Sequence, residues 1–143
     1  MTVKAILDSK GREVATIFPN KSMLEAIRLL GEMRIGAVVV TNDAGKILGI
    51  LSERDVVKFL AVDGTKALDM GVDGAMTRNV KTCRESNTIN EVMEIMTQGR
   101  FRHLPVEVDG KLGGIISIGD VVKRRIEDVE READEIRNYI AAG

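Results

Sequence analysis

One cysteine, one histidine, one tyrosine, three phenylalanines and no tryptophan leave several chemistries without the residues they need. A lone thiol, Cys83, excludes an intramolecular disulfide and a cysteine-rich zinc site. It falls in an apolar-alternating run and reads as a buried, inert thiol. A single imidazole, His103, leaves histidine-dependent metal chemistry almost no footing, and no metal site is expected. So few aromatic rings make a base-stacking platform unexpected. An excess of charge is lacking as well: 21 Lys and Arg stand against 22 Asp and Glu, a formal net charge of −1. That leaves no large basic face to follow a nucleic acid backbone. The one basic cluster, Lys123-Arg124-Arg125, reads as a solvated helix face. No apolar run approaches the roughly 18 residues of a membrane span, and the N-terminal MTVKAILDSKGREV has no long apolar segment of the kind that directs export. A soluble cytoplasmic protein is the expectation, with no nucleic acid and no membrane as partner.

What the chain does have is a repeat. The stretch VATIFPNKSMLEAIRLLGEMRIGAVVV (14–40) lines up with VKTCRESNTINEVMEIMTQGRFRHLPV (80–106), so that Thr16 matches Thr82, Ser22 matches Thr88 and Glu25 matches Glu91, each 66 positions on. One residue is lost at Asp43-Ala44-Gly45 against Asp109-Gly110. Thereafter Gly49 matches Gly114, Ser52 matches Ser117 and Asp55 matches Asp120, each 65 positions on. Units of this size suit a pseudo-two-fold pair of small domains better than a solenoid.

Each unit reads as β-α-β-β-α. A short extended piece holds Thr16 or Thr82. SMLE (22–25) and TINE (88–91) carry the Ser/Thr-x-x-Glu capping pattern, in which each end satisfies an orphan amide of the other. Apolar positions at helical spacing follow: Met23, Ile27, Leu30 and Met33, then Ile89, Val92, Met93 and Met96. The methionines read as core fillers. Strands are expected over 37–40 and 47–51, then 104–108 and 112–117, the second pair joined across Asp109-Gly110, a strong hairpin signal. A helix closes each unit, opening at Ser52 or Ser117, and a short helix is expected in the connector near 72–76. The last helix runs on past its repeat partner. Val122, Ile126, Val129, Ala133, Ile136 and Ile140 make a narrow apolar seam, which either packs back on the core or meets another subunit. The fold class is α+β, with two repeats and an extended C-terminal helix.

GILSERDVVK (49–58) and GIISIGDVVK (114–123) each place a serine and an aspartate at a strand-to-helix junction. A serine there caps the helix, and an acid in the first turn suits the helix dipole. Asp has less reach than Glu for the reciprocal bond, so capping accounts for Asp55 and Asp120 less well than for the serines. A helix N-terminus with a hydroxyl can receive an anion, and a carboxylate beside it offers only acceptors, which suits the diol of a ribose.

These junctions, with RIGAVVVTNDAGKILGILSERDVVK (34–58), RFRHLPVEVDGKLGGIISIGDVVK (100–123) and VDGAMTRNVKTC (72–83), resemble the cystathionine β-synthase (CBS) domain family. The pair resembles a Bateman module, with a first domain over 1–65, a second over 66–126 and a helical extension over 127–143. The resemblance implies a regulatory module, not an enzyme, that binds adenine nucleotides such as AMP, ADP, ATP or NAD, or S-adenosylmethionine, in two clefts between the domains. One cleft would combine Thr16, Ile35 and Gly36 with Arg102, His103, Ser117 and Asp120. The other would combine Thr82 and the backbone of 102–104, ending at Leu104, with Ser52, Arg54 and Asp55. The first repeat lacks basic residues at the Arg102 and His103 positions, and the second has Gly119 where the first has Arg54. Hence the cleft with Asp120 is expected to be the stronger site for AMP. A homodimer is expected, acting in trans on a regulated protein that the sequence does not name. The alternatives are a dimerisation module without a ligand, and an enzyme using His103 as base.

Overall fold

The computed structural model describes residues 1–142. Its order begins with α1 (Val3–Lys10), β1 (Thr16–Ile17), α2 (Met23–Met33), β2 (Ala37–Thr41), β3 (Ile47–Ser52) and α3 (Glu53–Asp63). A 3-10 turn (Gly64–Asp69) and the four-residue α4 (Val72–Ala75) make the connector. Then come α5 (Ile89–Gly99), β4 (His103–Val108), β5 (Lys111–Ser117) and α6 (Ile118–Ala142). The expected α+β repeats with a long terminal helix are present.

Both Glu-based capping boxes form. Ser22 N–H donates to Glu25 Oε2 at 2.7 Å while Glu25 N–H donates to Ser22 Oγ at 3.1 Å. Thr88 and Glu91 make the matching pair. Both helices also end alike, on Arg34 and Arg100, with φ of 54° and 56°. A side chain with a Cβ is strained there, whereas glycine is not. Arg34→Gly is therefore expected to raise stability by about 0.5–1 kcal/mol, read as a higher denaturant midpoint.

The two sheets are not equal. In the first repeat β1 lies parallel to β2, Thr16 opposite Val39, and β2 pairs antiparallel with β3, Ala37 opposite Ser52. In the second, β4 and β5 form the hairpin, His103 opposite Ser117. The extended piece expected around Thr82 shrinks to a single bridge between Cys83 and Val106. Cys83 is buried beneath it, and that burial pushes its thiol up to about 12, so the group stays protonated and unreactive.

The cores exchange elements along the chain. The first gathers Met23, Leu30, Val38, Val40 and Leu51 with Val72, Ala75 and Met76 of the connector. The second gathers Val92, Met96, Leu104, Val106 and Ile116 with Val3, Ile6 and Leu7 of α1. So α1, which comes first in the chain, completes the core of the second repeat. Two matched glycines make room for these visitors. A Cβ on Gly49 would lie 2.6 Å from Met76 Sδ, and one on Gly114 would lie 2.9 Å from Leu7 Cδ2. Among the described residues no helix is long and apolar enough to cross a membrane.

Candidate functional site

The two Ser-x-x-Asp junctions sit at the ends of β3 and β5, and both build complete caps. Asp55 Oδ2 accepts from the Ser52 amide at 2.9 Å and from its hydroxyl at 3.1 Å, while Asp55 N–H donates to Ser52 Oγ. Asp120 Oδ2 accepts from the Ser117 amide at 2.9 Å and Ser117 Oγ accepts from Asp120 N–H at 3.1 Å. Capping thus accounts for the aspartates as well as the serines, contrary to the expectation from side-chain reach. At a strand-to-helix corner the shorter acid closes the box.

What separates the junctions is a third partner. Lys10, the last residue of α1, donates from Nζ to Asp120 Oδ2 at 2.6 Å and to the Ile115 carbonyl at 3.0 Å. Burial works to raise the Asp120 pKa, but Lys10 and the Ser117 amide overcome it, and the carboxyl stays below its ordinary range. Among the described residues no cation pairs with Asp55, and the Oδ1 of neither aspartate accepts a hydrogen bond.

Beside Asp55 lies a cavity of about 340 Å³ between the halves. Ser52, Glu53, Arg54 and Asp55 of the first repeat line one side, with Gly36. Arg100, Phe101, Arg102 and His103 line the other, and Thr77, Asn79, Val80 and Lys81 of the connector run along it. Four cations, Arg54, Lys81, Arg100 and Arg102, face two acids, Glu53 and Asp55. His103 adds no charge near neutrality. Burial lowers its pKa, Lys10 and Arg102 push the same way, and Glu53 and Asp120 oppose them without prevailing. Its ring packs where β2 begins: a Cβ on Gly36 would lie 3.0 Å from His103 Cε1. That close approach is why position 36 suits glycine.

Of the residues expected in the two clefts, the structure brings Gly36, Ser52, Arg54, Asp55, Arg102 and His103 together around this one cavity. Ser117 and Asp120 lie at the other junction, under Lys10. Thr16 sits exposed on the edge strand, Ile35 packs against the first core, and Leu104 is fully buried in the second. Thr82 stands outside the cavity lining, next to the Cys83 bridge. Asn79, Lys81, Arg100 and Phe101 were not anticipated. The signal for Lys81 and Arg100 was present, as cations flanking the second repeat's start and the turn before its hairpin. Among the described residues no group of three or more His, Cys, Asp or Glu could hold a metal.

The family model described as CBS domain matches residues 3–62 and 71–127. Among solved structures, a CBS-domain containing protein from Agrobacterium tumefaciens is 54% identical, with a TM-score of 0.85 over 87% of this chain and 99% of that one. The CBS domain pair of protein MJ0100, solved in complex with 5-methylthioadenosine and S-adenosyl-L-methionine, is 26% identical, with a TM-score of 0.80 over 90% and 98%. CBSX2, solved in complex with AMP, is 27% identical, with a TM-score of 0.70 over 80% and 89%.

Proposed function

Because the chain belongs to the CBS domain family, with one domain in each half, we propose that it is a ligand-sensing module that binds an adenine nucleotide in the cleft beside Asp55. The observation that carries this reading is one cavity that holds four cations and a carboxylate, Asp55, with which none of them pairs. Asp55 Oδ1 is an acceptor for the ribose hydroxyls. Glu53 N–H already donates to the Gly36 carbonyl and Asp55 N–H to Ser52 Oγ, so the α3 N-terminus offers phosphate the Arg54 amide together with its guanidinium fork. Arg100, Arg102 and Lys81 extend the positive field along the cleft. A cavity of about 340 Å³ lies at the lower end of the range that small-molecule sites occupy.

The relative solved with AMP supports this class of ligand. The relative solved with S-adenosyl-L-methionine and 5-methylthioadenosine supports a second reading, an adenosyl ligand without phosphate. The cation count argues against S-adenosyl-L-methionine, whose sulfonium would meet four like charges and only two acids, and the neutral thioether 5-methylthioadenosine offers those cations no anion. The lining contains no activated nucleophile with its base, so the site is read as one for binding and not for turnover.

A ligand gripped by both halves favours one arrangement of them by its differential affinity, and a protein that reads that arrangement is then regulated. Thermal unfolding against AMP, ATP, NAD, S-adenosylmethionine and 5-methylthioadenosine tests the reading. At a hundredfold excess over Kd a ligand of the folded state adds about 2.7 kcal/mol, a rise of several degrees in Tm. A phosphate-bearing nucleotide is expected to give that rise. No shift with any of the three nucleotides, or a shift with S-adenosylmethionine alone, contradicts it.

A further inference from the structure

The terminal seam does not pack back on its own core. Ile126, Ile136 and Ile140 are 53%, 60% and 70% exposed, and Val122 and Val129 are exposed beside them. The opposite face of α6 is the one turned to the body: Val121 and Asp128 are buried, and Arg124 reaches the Met1 sulfur. A charged helix therefore keeps a continuous apolar stripe of about 27 Å facing solvent. We propose that this stripe is a parallel coiled-coil interface with a second copy of the same chain.

The flanking charges select both the partner and its direction. With Ile126, Ala133 and Ile140 as a positions and Val122, Val129 and Ile136 as d positions, the e and g flanks are Lys123, Arg125, Glu130, Glu132, Arg137 and Tyr139. In a parallel pair each g residue faces the following e residue of the partner. Arg125 then meets Glu130 of the second copy, and Glu132 meets Arg137 of the second copy, both attractive and both made twice by the two-fold axis. An antiparallel pair that keeps the same apolar residues in register sets Glu130 on Glu130, Glu132 on Glu132 and Lys123 on Arg137. Every fully charged contact in that arrangement is repulsive. A helix whose flanks complement their own copy in one direction only fits a self-partner better than an unrelated chain. This interface does not depend on what the cleft binds.

Light scattering and sedimentation of the full chain test it, with circular dichroism to confirm folding. The wild type is expected to be a dimer, and Ile126→Asp, at an exposed position, a folded monomer. Arg125→Glu and Glu130→Arg alone each turn two attractions into repulsions and are expected to weaken the dimer about tenfold. The double reversal is expected to return it to within about threefold of wild type. A wild-type monomer at roughly 100 µM overturns the proposal, whether or not it captures another protein. So does a trimer, a dimer untouched by Ile126→Asp, or a double reversal no tighter than the single ones.

Discussion

Leu7→Ala is expected to destabilise the protein by about 2–5 kcal/mol, although it lies in a short helix that no sequence pattern ties to the rest of its repeat. The helix has no side-chain cap at Thr2, and eight residues cannot hold a helix in isolation. Its stability comes from docking. Val3 and Leu7 are fully buried and Ile6 nearly so, all within the core of the second repeat. Leu7 lies on the face of β5 where Gly114 leaves space. Replacing the isobutyl group by a methyl leaves a cavity between α1 and the strand that the sheet cannot close. Set against a total stability of roughly 5–15 kcal/mol, the loss is a large share.

The fit between Leu7 and Gly114 gives this prediction a second, independent check. Gly114→Ala alone drives a Cβ to within 2.9 Å of the leucine and is expected to destabilise through overpacking. Combined with Leu7→Ala, the added methyl fills part of the space the leucine left. The pair is expected to cost less than the two single changes together, by about 0.5–2 kcal/mol in a double-mutant cycle read from denaturant unfolding. Strict additivity, or a cost below about 1 kcal/mol for Leu7→Ala, would show that α1 is not part of that core.

This docking marks the limit of what the sequence reveals. Local chemistry was legible: the Ser22–Glu25 and Thr88–Glu91 caps, the Asp109-Gly110 hairpin, the apolar stripes of α2 and α5, and the twofold recurrence of Ser-x-x-Asp all rest on residues close together in the chain. Contacts between distant segments were not. Lys10 and Asp120 are 110 positions apart, and nothing in VKAILDSK distinguishes its lysine from a solvated one. The cavity shows the same division. Ser52, Arg54 and Asp55 announce themselves by repeat position, whereas Asn79 and Phe101 enter through the path of the connector and the turn before β4. The two copies of one motif look interchangeable in sequence and differ because separate segments arrive beside them.

That difference carries the second large effect. Asp55→Ala is expected to weaken nucleotide binding by about 10–150-fold, the loss of roughly 1.5–3 kcal/mol for a hydrogen bond to a charged group. Asp120→Ala is expected to change it by less than about threefold. The sequence alone pointed the other way, toward the junction with Asp120, Arg102 and His103. In the folded chain Arg102 and His103 line the Asp55 cavity, and Asp120 already holds Lys10. Both aspartates also close a capping box, so each alanine variant loses about 0.5–2 kcal/mol of helix stability and melts earlier. The loss of stability is common to both variants; the loss of affinity is not, provided binding is measured well below the lowered Tm. Asp55→Asn separates the contributions further. Its amide oxygen can still accept from the Ser52 N–H, so the cap is largely kept, while the charge that orders a ribose diol is gone. Asp55→Asn binding as tightly as wild type would remove Asp55 as the ligand's anchor. A large loss in Asp120→Ala would mean that Lys10 yields its place to the ligand, and that the nucleotide sits at the junction that α1 covers.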